Sequence, residues 1–93
     1  MYFAKFYYRA RLFATYSLKD KRKIRRSILD RLANDFRISA IEAEDQDMVN
    51  SLVIACARVS LDRESNRRIF EKIRDFIEES YELEIYEAYC EEF

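Results

Sequence analysis

The sequence predicts an α+β sandwich: one domain over residues 1–93, with a four-stranded antiparallel sheet carrying two helices on one face. Three observations carry this reading. Residues 2–13 alternate in polarity with the period of a half-buried strand. Residues 17–36 and 62–80 instead repeat apolar residues every three or four positions, as amphipathic helices do. Short strand-like runs lie between and after them, so the element order is β, α, β, β, α, β.

In the first strand the even positions Tyr2, Ala4, Phe6, Tyr8, Ala10 and Leu12 form one side, and Phe3, Lys5, Tyr7, Arg9, Arg11 and Phe13 the other. With the even side packed on helices, the odd side shows basic and aromatic groups to water or to a partner. Ser17 then reads as a helix cap, with Asp20 three residues on as a short form of the capping-box acid. Ile24, Ile28, Leu29, Leu32 and Phe36 are the buried stripe of this helix, opposite Lys19, Lys23, Arg26, Asp30 and Asn34.

Residues 37–44 form a short strand, and the polar turn EDQD at 44–47 leads into a second strand, NSLVIACARVS, to make a β-hairpin. In that strand Val53, Ala55, Ala57 and Val59 make a small-residue face suited to close helix contact, which turns Leu52, Ile54, Cys56 and Arg58 to the other side. Asp62 caps the second helix, whose stripe is Ile69, Phe70, Ile73, Phe76 and Ile77; Glu64 with Arg68 and Arg74 with Glu78 are spaced to pair on its wet side. The closing segment YELEIYEAYCEEF sets Leu83 and Ile85 against Glu82, Glu84 and Tyr86. Two interleaved βαβ units with right-handed crossovers then give the ferredoxin-like split βαβ fold, with spatial strand order four, one, three, two. Cys56 and Cys90 fall on strands about two 4.8 Å spacings apart, too far for a disulfide.

Composition narrows the chemistry. The chain has no histidine, which removes the commonest general base and metal ligand, and no glycine, which removes glycine-rich phosphate cradles. A non-enzymatic protein without a cofactor or metal is expected. Turns must use Asn, Asp and Ser in place of glycine and proline, both absent. No apolar run reaches the roughly 20 residues that span a bilayer, and the charged amino terminus is unlike a signal peptide, so the expectation is a cytoplasmic protein without a membrane partner. Residues 1–37 hold eleven basic and three acidic side chains, and residues 38–93 six and fifteen. If the fold keeps these sets apart, polyanions are steered to one side.

The run SLKDKRK, the helix end LDRLANDF, Gln46 with Asp47, Val59 with Ser60 and the terminal EEF resemble the YlxP-like family of small bacterial proteins. The resemblance covers nearly the whole chain. It implies a ferredoxin-like fold and genes lying among those of translation and ribosome-maturation factors, without an established molecular function. This chain departs from the family at Asp45, where a histidine is usual, and at Arg25, where an apolar residue is.

Two surfaces are candidate sites. Lys19, Lys21, Arg22, Lys23, Arg25 and Arg26 ring the start of the first helix, where cations oppose the macrodipole and helix stability does not account for them. A phosphate there would meet free backbone N–H groups and basic side chains together. Lys21 and Arg25, near the apolar stripe, would snorkel past the core edge to flank the ligand. On the open sheet face, Lys5, Tyr7, Arg9, Arg11 and Arg58 stand beside Leu52, Ile54 and Tyr86. Such a mixture can bind single strands, but the third strand lacks the stacking positions of an RNA-recognition motif, and exposed Leu52 and Ile54 fit a homodimer surface better. Glu44, Asp45 and Asp47 could offer oxygens to a hard cation, yet fall short of a calcium loop. The expectation is an RNA- or ribosome-associated accessory factor that binds polyanion at the start of the first helix; the alternative is a protein-interaction or structural module that self-associates through its open sheet face.

Overall fold

The computed structural model describes residues 1–93 and has the expected architecture. Its elements are β1 (Tyr2–Leu12), α1 (Leu18–Asn34), β2 (Ser39–Glu44), β3 (Ser51–Ser60), α2 (Arg63–Ser80) and β4 (Leu83–Glu92). The strands pair antiparallel in the order β2-β3-β1-β4, the predicted order read from the other edge. No helix is long and apolar enough to cross a membrane.

Both helix starts are set by the predicted caps. Ser17 Oγ accepts the Asp20 N–H at 3.1 Å, and Asp20 Oδ2 accepts the N–H of Tyr16 at 3.1 Å. Asp62 Oδ1 accepts the Glu64 N–H at 3.0 Å. Without glycine the chain enters left-handed backbone at Asp45 (φ 58°) and Arg37 (φ 54°). Aspartate tolerates that geometry; Arg37 was not foreseen there and bears a cost of about 1–2 kcal/mol. It is held by its neighbours: Ile38 is buried, and its N–H donates back to the Leu32 carbonyl at 3.1 Å.

The core lies between sheet and helices. Phe6, Tyr8, Ile28, Leu32, Leu52, Ile54, Ile73 and Ile77 are almost wholly withdrawn from water. Phe70 of α2 packs its ring edge-on to Phe6 (5.5 Å) and flat on Tyr8 (5.2 Å), while the Tyr8 hydroxyl donates to the Phe70 carbonyl at 2.9 Å. That bond satisfies a polar group the core could not otherwise hold, and burial pushes the Tyr8 phenol well above its ordinary range.

One expectation is corrected. Register pairs Tyr8 with Ile54 and Phe6 with Cys56, so Leu52, Ile54 and Cys56 share the helix-facing side with the even residues of β1. Val53, Ala55, Ala57 and Val59 therefore lie on the open face, the reverse of the small-residue helix contact expected. The reason is volume: Leu52 and Ile54 fill space between sheet and helices that alanines would leave empty. Cys56 and Cys90 flank Phe6 on either side and are both free thiols, as expected.

This facing predicts a contrast. In dilute solution, where the chain is unassociated, Ile54→Ala should lower the unfolding free energy by about 2–5 kcal/mol, whereas Val59→Ala, at a position 58% exposed, should change it by no more than about 0.5 kcal/mol. Urea denaturation of the two variants measures both; equal losses would contradict the assigned faces.

Candidate functional site

The apolar stripe of α1 fixes how the helix is rotated on the sheet. Ile28 and Leu32 point straight into the core, with Ile24, Leu29 and Phe36 packed at its edge. Lys21 lies seven residues before Ile28, nearly two full turns, and so projects in the same direction. It is 1% exposed.

The Lys21 ammonium does not snorkel out. It donates to the carbonyls of Asp45 (2.5 Å) and Met48 (2.8 Å), with a longer contact to that of Gln46 (3.4 Å), and so clasps the β2–β3 turn. Glu42 Oε2 lies 2.9 Å from the same nitrogen, and Arg25 Nη1 reaches Glu42 Oε1 at 3.2 Å. The Glu42 side chain is itself only 6% exposed, and Oε2 has no hydrogen bond of good geometry, so it is stabilised by the charge beside it. Sequence reasoning missed Glu42. Lys21 is thus a structural cation with no atom free for a ligand, and Arg25 is tied to the same carboxylate.

The other four residues of the ring are placed differently. Lys19, Arg22, Lys23 and Arg26 are all exposed and follow the spacing i, i+3, i+4, i+7, so they form one stripe on the outer face of α1. None lies within ion-pair distance of a carboxylate. Asp30 ends the stripe. Farther along the helix Arg31 is engaged twice, with Asp35 at 3.0 Å and over the Phe76 ring at 4.6 Å.

On the sheet, Lys5, Tyr7, Arg9, Arg11 and Tyr86 occupy the open face as expected, but Leu52, Ile54 and Arg58 do not. Leu52 and Ile54 are core, and Arg58 turns to α2, donating to Asn66 Oδ1 (2.8 Å) and Ser65 Oγ (3.1 Å). The open face is also not basic. Arg9 meets Glu44 (2.6 Å), Asp45 (3.2 Å) and Glu87 (3.2 Å); Lys5 meets Glu91 (3.1 Å), which holds its ammonium above the ordinary range. Tyr7 stacks on Tyr89 at 4.8 Å, and Arg11 lies over the Tyr86 ring. A bulge in β4 opposite Arg9 and Ala10 puts Tyr86 there.

The turn acids are used as well. Glu44 and Asp45 serve Arg9, and Ser51 donates to Asp45 Oδ2 at 2.7 Å. No three carboxylate or thiol groups converge in a way that could hold a metal ion. Burial pushes the Cys56 thiol up to about 12 and raises that of Cys90.

Residues 5–90 match the model of a protein family of unknown function, DUF503. No curated protein matches the chain.

Two outcomes follow from this geometry. Lys21→Ala leaves Glu42 buried without its main cation and should cost about 3–5 kcal/mol, most of it recovered in Lys21→Met/Glu42→Leu; Arg22→Ala should stay within about 0.5 kcal/mol. Denaturant midpoints with unchanged slopes check this. Because burial disfavours the Cys56 thiolate, stability should fall as pH rises above about 9 toward 12, where the unfolded thiol loses its proton and the folded one keeps it. Alkylation at pH 8 should likewise spare Cys56 until denaturant is added.

Proposed function

The chain belongs to the DUF503 family, whose function is unknown, and we propose that this member is a non-enzymatic accessory factor that binds structured RNA through the outer face of α1. A single observation carries the proposal: Lys19, Arg22, Lys23 and Arg26 form a continuous cationic stripe with no carboxylate partner, whereas Lys5 and Arg9 of the sheet face are both ion-paired. Cations in the first turns of a helix work against the macrodipole. Fold stability does not select them; an anionic partner does. The resemblance to the YlxP-like family, with genes among those of translation and ribosome-maturation factors, favours RNA or the ribosome as that anion, met in the cytoplasm.

The mechanism is backbone recognition. The stripe rises about 10 Å along the helix, enough for a few phosphates, and contains no aromatic, Asn or Gln side chain to read bases. Affinity would come from counterion release and be nearly indifferent to sequence.

A second reading rests on a separate observation. Although Val53 and Tyr7 of the open sheet face are buried, Phe3, Ile41, Val59 and Phe93 are exposed on or beside that face, which carries no helix. They favour self-association through that face, for reasons different from the Leu52 and Ile54 expected.

For the first reading, four neutralised phosphates predict that RNA binding weakens about 50- to 150-fold between 50 and 200 mM salt, the larger value for duplex regions. Lys19→Glu/Arg22→Glu/Lys23→Glu/Arg26→Glu should abolish binding and ribosome co-sedimentation, whereas Arg67→Glu/Arg68→Glu on α2 should leave both intact. Unchanged binding by the α1 variant would overturn the proposal.

A further inference from the structure

We propose that a second copy of this chain docks on one corner of the open sheet, the β2-β3-β1 end that carries Phe3, Ile41 and Val59, with Phe93 beside it. This rests on the self-association reading and names its seam. The register defines the corner. Phe3 lies opposite Val59; Lys5 is opposite Ala57, which pairs with Ser39; Ala55 pairs with Ile41; and the Phe93 N–H donates to the Phe3 carbonyl. These four large apolar residues are 50%, 61%, 58% and 72% exposed in the order Phe3, Ile41, Val59, Phe93. Phe3, Val59 and Phe93 are neighbours, and Ile41 stands across Ser39 and Ala57 from them; together the four leave on the order of 500 Å² of apolar side chain in water, within the size of the largest apolar patches on monomers, which are often functional.

Two features select a second copy as the occupant. The first is shape. Ala55 and Ala57 form a shallow floor between Ile41 on one side and Phe3 with Val59 on the other, and depressions lie over both alanines. One patch thus holds both protruding side chains and the recess to receive them, as an isologous interface requires. The second is charge. Of the charged groups at this corner, Lys5 and Glu91 are paired with each other and Arg58 is turned to Asn66 and Ser65 of α2, so copies can exchange the Lys5–Glu91 partners across the seam. A polyanion finds no free cation there.

Sedimentation of the full chain from about 1 µM to 1 mM tests this. Wild type should dimerise, and Phe3→Glu and Ile41→Glu should each weaken dimerisation at least 100-fold while keeping wild-type circular dichroism; both sites are half or more exposed, so either variant serves if the other misfolds. Arg11→Glu, at the far end of the same face, should dimerise normally. So should the fourfold α1 glutamate variant, which separates this result from RNA binding. A wild-type monomer at 1 mM would overturn both the seam and the self-association reading. A dimer that survives both corner substitutions would overturn the seam alone.

Discussion

The buried ammonium of Lys21 is the contact on which the arrangement of this protein's surfaces depends. Removing a cation from water costs several kcal/mol even after relaxation, so the surrounding groups must meet it closely. Three carbonyls of the β2–β3 turn and the Glu42 carboxylate do so. The clasp joins α1 to a hairpin that follows it in sequence, and neither can slide without stranding the charge. Since a helix is rigid, fixing Lys21 and the Ile28–Leu32 stripe inward fixes Lys19, Arg22, Lys23 and Arg26 outward. The cationic stripe is therefore preorganised by core contacts that it does not itself make.

The fold redistributes the charge asymmetry of the sequence. The basic amino-terminal third is not simply presented opposite the acidic remainder, because β1 lies in the middle of the sheet. Its Lys5 and Arg9 meet Glu91 and Glu87 of β4 on one side, and Arg9 also reaches Glu44 and Asp45 at the hairpin on the other. Most of the sheet-face charge cancels locally. The basic excess that remains unpaired is concentrated on the outside of α1, where the nearest acid on the stripe is Asp30.

Element order, caps and strand order were legible because each rests on a local signal: alternation in residues 2–13, Ser17 and Asp62 before helical stripes, and polar turns. The facing of β3 was not. Val53, Ala55, Ala57 and Val59 compete with Leu52, Ile54 and Cys56 as an apolar face, and period alone cannot choose between them; register with β1 does. Lys21 was half legible, since its angle near the apolar stripe was visible but the type of side chain argued for solvent. What decided it was Glu42, an acid on the inward side of β2, which only the pairing Glu42 with Ile54 places beneath α1. Four of six members of the proposed ring thus remain candidates for an anion, and the other two belong to the fold.

The stripe and the apolar corner lie on opposite layers of a two-layer domain, which bears on how they could act together. Occupying the sheet leaves the outer face of α1 untouched, so the two events do not compete for surface. A sheet-to-sheet pair would have four layers, helices outermost, with its two stripes directed away from each other. Avidity from such a pair requires one RNA that reaches both stripes at once, since linkage adds nothing where geometry forbids simultaneous contact. A short duplex, being stiff, would contact one stripe only, and its salt dependence would stay that of four cations. An RNA folded around the particle would engage eight, with roughly twice the logarithmic salt slope. The slope measured on RNAs of different length thereby reports the geometry of the pair as well as the charge of the site.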